Sequence, residues 1–127
     1  MIKKYGYVRV GAVTPKVIVA NVEENAKEII KEIKKADKKG IQILTFPELS
    51  LTGYTCGDLF YQNKLLNESL ECLKEIMNAT KNLNIISLIG MPLLVNNALY
   101  NVSVVIQKGN ILGVVPKTNI ANEYRWF

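Results

Sequence analysis

The sequence predicts an α/β layered domain, and three observations carry that expectation. Segments of strand and helix periodicity alternate along the chain as strand, helix, strand, helix, strand, strand, strand, so the early part reads as βαβ units. The runs at 41–46 and 85–91 are apolar nearly throughout, the pattern of strands covered on both faces of a sheet. The chain of 127 residues, with 49% hydrophobic, 21% charged and 8% aromatic residues, suits one globular core rather than a disordered segment.

Each element has its own signal. Residues 7–13 form the first strand, with Val8, Val10 and Ala12 pointing one way and Tyr7, Arg9 and Gly11 the other. After Thr14-Pro15, Asn21 and Glu24 make a capping-box-like helix start. Val22, Ala26, Ile29, Ile30 and Ile33 then recur at helical spacing, and Gly40 stands where a left-handed C-cap belongs. The second strand, 41–46, stops at Pro47, and 48–62 is irregular, rich in turn formers and hydroxyls. A second helix is expected over 67–82, with Leu70, Leu73, Ile76 and Met77 on its buried side, followed by a third buried strand at 85–91. Residues 100–107 and 111–115 pair as a hairpin around Lys108-Gly109-Asn110. No internal repeat or low-complexity linker divides the chain. After Lys117 no further element closes the domain, and Tyr124, Trp126 and Phe127 are expected to be exposed, so the domain is expected to continue beyond residue 127.

Composition excludes several classes of chemistry. Histidine is absent, which removes Ser-His-Asp and Cys-His catalysis and two-His metalloprotease sites. Cys56 and Cys72 are too few for a disulfide framework or a zinc site. No apolar stretch approaches the roughly 18 residues that span a bilayer, and Met1-Ile2-Lys3-Lys4 leads into no signal-peptide core, so no membrane partner and a cytoplasmic location are expected. The net charge of +5 gathers at Lys34, Lys35, Lys38 and Lys39, late in a helix that carries Glu23, Glu24, Glu28 and Glu32 earlier. That order complements the helix dipole and reads as a solvated face, with no nucleic-acid partner expected.

Two residues remain as candidates for chemistry. Glu48 follows the second strand directly, in Phe46-Pro47-Glu48, at the carboxyl end of a strand where ligands and catalytic groups collect in α/β sheets. There a carboxylate acts either as a general base in low dielectric or as a cap on the donors of the following turn. Lys117 follows Val114-Val115-Pro116 in the same way, as an oxyanion partner or as an ordinary exposed lysine. Two Pro-charged pairs of opposite sign at strand ends point to a site more specifically than either does alone.

These segments resemble a known family. Phe46-Pro47-Glu48-Leu49-Ser50-Leu51-Thr52-Gly53-Tyr54 looks like the glutamate signature of the nitrilase (carbon-nitrogen hydrolase) superfamily, and Val114-Val115-Pro116-Lys117-Thr118 is similar to its lysine signature. Their spacing, Gly90-Met91-Pro92 between them and the early Val8-Arg9-Val10-Gly11-Ala12 also match, so the resemblance covers essentially the whole chain. Gly57-Asp58-Leu59-Phe60, following Tyr54-Thr55-Cys56, narrows it to the glutaminase domains of glutamine-dependent NAD synthetases.

The resemblance implies a partial nitrilase-like α-β-β-α sandwich, with residues 1–127 an incomplete glutaminase domain. It implies a Glu-Lys-Cys triad in which the thiolate attacks the glutamine side-chain amide, forms a thioester and releases ammonia. Ammonia then passes to a synthetase domain of the same polypeptide, which uses ATP and Mg to amidate nicotinic acid adenine dinucleotide; no cofactor is expected in this chain. Carried over by motif, Glu48 is the base, Lys117 the oxyanion partner, and Tyr54 helps to shape the glutamine pocket. The nucleophile of the family lies beyond the lysine, in a segment not among these residues. Cys56 occupies a non-catalytic position of the family, and Cys72 is expected to be a small core residue of the second helix. A further departure is local: Ile120-Ala121-Asn122 runs straight into Glu123-Tyr124-Arg125-Trp126-Phe127, so a few residues of a loop are expected to be missing between Asn122 and Glu123, with Glu123 matching the last acid of the family stretch. A homo-oligomer is implied for the parent protein. Two alternatives stand beside this reading, a free-standing amidase of the same superfamily and a non-catalytic interaction module. The retained pair Glu48 and Lys117 argues against the module.

Overall fold

Asn21 and Gly40 bracket the first helix. In the computed structural model, which describes residues 5–120 and 126–127, helix α1 spans Val22–Lys38. The Asn21 side chain accepts the Glu24 N–H at 3.3 Å. At the far end Gly40 adopts φ +78°, its N–H reaches the Asp37 carbonyl, and the Ile41 N–H reaches that of Ala36. These two bonds are the Schellman pattern, which satisfies the last carbonyls and turns the chain into the next strand. The buried stripe is Val22, Ala26, Ile29, Ile33 and Ala36, with Asn25 among them. Asn25 is polar but fully used: its Oδ1 accepts the Ile18 N–H, and its Nδ2 donates to the carbonyls of Ile18 and Leu51.

Helix α2, Asn63–Ala79, begins four residues before the expected start, straight after a 3₁₀ turn at Gly57–Tyr61. Its buried stripe is Leu65, Leu66, Ser69, Cys72, Leu73 and Ile76, so Cys72 is a core residue as expected. Leu70 is not on that side. It is 40% exposed, because its position lies about a quarter-turn round the helix from the centre of the stripe.

Five strands form one sheet in the order β1 (Val10–Ala12), β2 (Ile43–Thr45), β3 (Ile86–Val95), β4 (Ala98–Gln107) and β5 (Asn110–Pro116). The first three are parallel, joined by α1 and α2 as two βαβ units, and β3, β4 and β5 continue as an antiparallel meander. Strand β3 runs past the expected end at Met91, through Pro92. Both backbone groups of Gly90 bond to Ser50 and Leu51, so by the two-residue period Pro92 turns its nitrogen to that same side, where β2 has already ended. Asn96 and Asn97, both at positive φ, make the tight turn into β4. Lys108 and Gly109 make the next one, and Asn110 pairs with Gln107 as part of β5 rather than of the turn.

One face of the sheet buries Leu44, Ile89, Met91, Val102, Val104 and Ile106 in a single core with the stripes of α1 and α2. The opposite face is open among the described residues: Val10 is 66% and Val115 60% exposed, and Ala12 and Thr45 are exposed as well. Strand β2 is therefore covered on one face, not two. An apolar run shows that both faces are apolar; it does not show that both coverings lie within the same stretch of chain. The result is one α-β half of the expected sandwich.

Residues 117–120 carry no regular element. Trp126 and Phe127 are half-buried against the core rather than exposed. Tyr124, Glu123 and the junction after Asn122 lie outside the described residues. Among the described residues, no helix is long and apolar enough to cross a membrane.

Candidate functional site

Glu48 is placed by a turn at the end of β2 that folds back onto β3. The Phe46 N–H bonds to the Leu88 carbonyl, the Ser50 N–H to that of Pro47, and the Leu51 N–H returns to the Gly90 carbonyl at 3.0 Å. Leu49 takes φ +53°, a costly conformation for a branched side chain, and is held there by full burial of Leu49 and Leu51. The turn lies directly on Gly90, where an added Cβ would sit 2.5 Å from the Leu49 nitrogen and 2.7 Å from the Pro47 oxygen. Only glycine allows that approach.

Lys117 extends the β4–β5 ladder by one step, its N–H donating to the Asn101 carbonyl at 2.8 Å. From there its Nζ donates to Glu48 Oε1 at 2.9 Å, and the Asn101 side chain donates to the same oxygen from Nδ2 at 2.5 Å. The structure thus brings the two candidates from the ends of β2 and β5 into contact. The expectation of a carboxylate in low dielectric is not met, since the Glu48 and Lys117 side chains are each 39% exposed. The capping reading of Glu48 is not observed either: its side-chain bonds from described residues go to Asn101 and Lys117 rather than to the turn. The hydrogen bond from Glu48, and then its charge, hold the Lys117 ammonium above the ordinary lysine value.

Above the pair lies a cavity of about 120 Å³, lined also by Tyr54, Asn101, Phe60, Trp126 and Phe127. The Gly57-Asp58-Leu59-Phe60 motif builds its aromatic wall. Phe60 is fully buried, with ring centroids 5.0 Å from Phe127 and 6.2 Å from Trp126, and the Trp126 indole N–H donates to Asp58 Oδ1 at 3.4 Å. Tyr54, 58% exposed, stands at the rim.

Neither cysteine lines this cavity. Cys56 is 6% exposed with its Sγ 3.2 Å from the Thr52 carbonyl oxygen, and burial pushes its thiol up. Burial, followed by the charge of Glu75 and nearby acids, pushes Cys72 up to about 11. Among the described residues no three His, Cys, Asp or Glu side chains come together as a metal site would require. Asn101 carries no mark in the sequence, since a polar side chain fits the ordinary alternation of a half-buried strand, and the role of Gly90 against the turn shows only in the structure.

The carbon-nitrogen hydrolase family model matches residues 9–127. This chain belongs to the carbon-nitrogen hydrolase family. It is 32% identical over 124 residues to the glutamine-dependent NAD(+) synthetase of Mycobacterium tuberculosis, covering 98% of this chain and 18% of that protein. It is 36% identical over 114 residues to the Aquifex aeolicus protein of the same name, covering 86% and 20%. The crystal structure of a glutamine-dependent NAD(+) synthetase from Cytophaga hutchinsonii superimposes with a TM-score of 0.87 at 30% identity, covering 94% of this chain and 21% of that one. An amidase of the nitrilase superfamily from Nesterenkonia shares the fold, with a TM-score of 0.76 at 17% identity over 94% of this chain and 48% of that one. This carbon-nitrogen hydrolase therefore spans about a fifth of the length of the synthetases it matches, and its resemblance to their glutaminase domains stands.

Proposed function

We propose that this chain is the N-terminal portion of a glutaminase domain that releases ammonia from glutamine by a thioester route. The single observation that carries the proposal is the contact between Glu48 and Lys117, an acid–base group and a cation set side by side beneath an aromatic-walled cavity. In this reading a cysteine thiol from a segment outside residues 1–127 gives its proton to Glu48 and attacks the amide carbon of the glutamine side chain. The carbonyl electron pair moves onto oxygen, and the Lys117 ammonium stabilises that oxyanion. Collapse expels ammonia, which takes the proton back from Glu48. Glu48 then draws a proton from water as it attacks the thioester, so glutamate leaves and the thiol is restored. Tyr54 borders the bound side chain.

The similarity to NAD(+) synthetases supports a second step in the same polypeptide, with ammonia consumed by a synthetase domain that uses ATP and Mg²⁺ to amidate nicotinic acid adenine dinucleotide. A homo-oligomer pairing through a helix face completes the proposed parent assembly.

The test is a substrate panel on the full-length polypeptide that carries this segment. Ammonia release from L-glutamine, with little from acetamide or butyramide, is the expected result. Release from simple amides at equal or greater rate would make it a free-standing amidase, and release from none would favour a non-catalytic module.

A further inference from the structure

We propose that Asn101 is a positioning residue for the hydrolytic reaction, fixing which oxygen of Glu48 does the proton transfer. The inference rests on the glutaminase reading above. Both side-chain hydrogen bonds that Glu48 receives from described residues end on Oε1, one from Lys117 Nζ and one from Asn101 Nδ2. The proton-transferring oxygen is therefore Oε2. Of the two atoms at the end of an Asn side chain, only the amide nitrogen donates, so contact with a carboxylate settles the orientation of Asn101.

The two donors have different duties. Lys117 must answer the negative charge that forms on the substrate oxygen and cannot hold Glu48 equally well throughout the reaction. Asn101 has no such second call on its donor. It is neutral, it is 7% exposed, and it stands inside strand β4 rather than on a loop. Its main-chain carbonyl accepts the Lys117 N–H, so one residue fixes the carboxylate through its side chain and the base of the lysine through its backbone. Catalytic groups need such rigid support from surrounding hydrogen bonds to stay within a productive geometry.

The experiment is glutamine turnover against pH on the full-length polypeptide, for the unsubstituted protein, Asn101→Leu, Asn101→Asp and Glu48→Gln. Asn101→Leu keeps the branched outline, though with a larger volume, and removes the donor, and its kcat is expected to fall about 10–100-fold with KM for glutamine changed by no more than about threefold. Asn101→Asp sets a second carboxyl against Oε1, so the acid limb of its kcat profile is expected to move up by about one pH unit or more, because two adjacent carboxylates resist joint ionisation. Should Asn101→Leu fail to fold, the isosteric Asn101→Asp carries the test. An unchanged kcat in Asn101→Leu, or an Asn101→Asp profile of unaltered shape merely scaled down, overturns the positioning role. If Glu48→Gln itself turns over glutamine normally, the glutaminase reading fails and this inference fails with it. If Glu48→Gln is dead and Asn101→Leu is normal, only the inference fails.

Discussion

Lys117 carries its extra affinity for a proton because Glu48 accepts its hydrogen bond and stands beside it as a charge. Its folded value lies above the ordinary 10.5, so any stabilisation from the pair is, while Glu48 is ionised, fully present below pH 10.5 and is lost as pH rises through the folded value. Glu48→Gln removes the charge and leaves only a neutral amide oxygen as acceptor, and Lys117 is expected to return toward 10.5 in an NMR titration of its side chain. An identical titration in both proteins would separate the two residues. The cysteines behave oppositely to a nucleophile: both thiols are buried and held protonated, so a thiol reagent at pH 8 is expected to label Cys56 and Cys72 only at the rate of unfolding. Rapid labelling of the folded protein would contradict that. At this scale Glu48 and Lys117 were legible because each follows a proline at the end of an apolar strand, a local mark that needs no partner. Asn101 was not, because what distinguishes it is a neighbour 53 positions away.

The turn that aims Glu48 depends on elements distant in sequence. Gly90 must remain without a Cβ for residues 47–49 to lie on β3, so Gly90→Ala is expected to destabilise by about 1–3 kcal/mol and to displace Glu48, lowering Tm and glutamine turnover together. Wild-type Tm in that variant would show that the approach is not close. Asn25 ties α1 to the Ile18 segment and to the Leu51 carbonyl beside the turn. Asn25→Ala takes the side-chain partner from the Ile18 N–H and from the buried Leu51 carbonyl, while the Ile18 carbonyl keeps the Asn21 N–H, and is expected to cost roughly 1–3 kcal/mol in denaturant unfolding. The ends of α1 could be read directly, since Asn21 and Gly40 are local capping signals. The start of α2 and the length of β3 could not. Pro92 looks like a stop until the edge it faces is known, and the Asn96-Asn97 turn shows its meaning only once both flanking strands are in register.

For the whole molecule, the open sheet face decides behaviour in isolation. Val10 and Val115 lie on that apolar side, the one a second sheet would cover in an α-β-β-α sandwich. The isolated 127-residue chain is expected to self-associate in sedimentation, and Val10→Lys with Val115→Lys to shift it toward monomer with little loss of helix signal. A monodisperse monomer without those changes would mean that the face tolerates water. Fold class was legible from alternating periodicities and the family resemblance implied only part of a sandwich, whereas which strand faces lack their cover was not legible, because a buried strand and an uncovered apolar strand have the same sequence. The service of Glu48 and Lys117 in glutamine hydrolysis is best tested by assaying NAD formation with glutamine or with free ammonia as the nitrogen source. Full-length Glu48→Gln is expected to lose the glutamine-dependent reaction, by about 10²-fold or more, and to keep the ammonia-dependent one. Equal glutamine-dependent rates in variant and wild type, or loss of both reactions together, would contradict it.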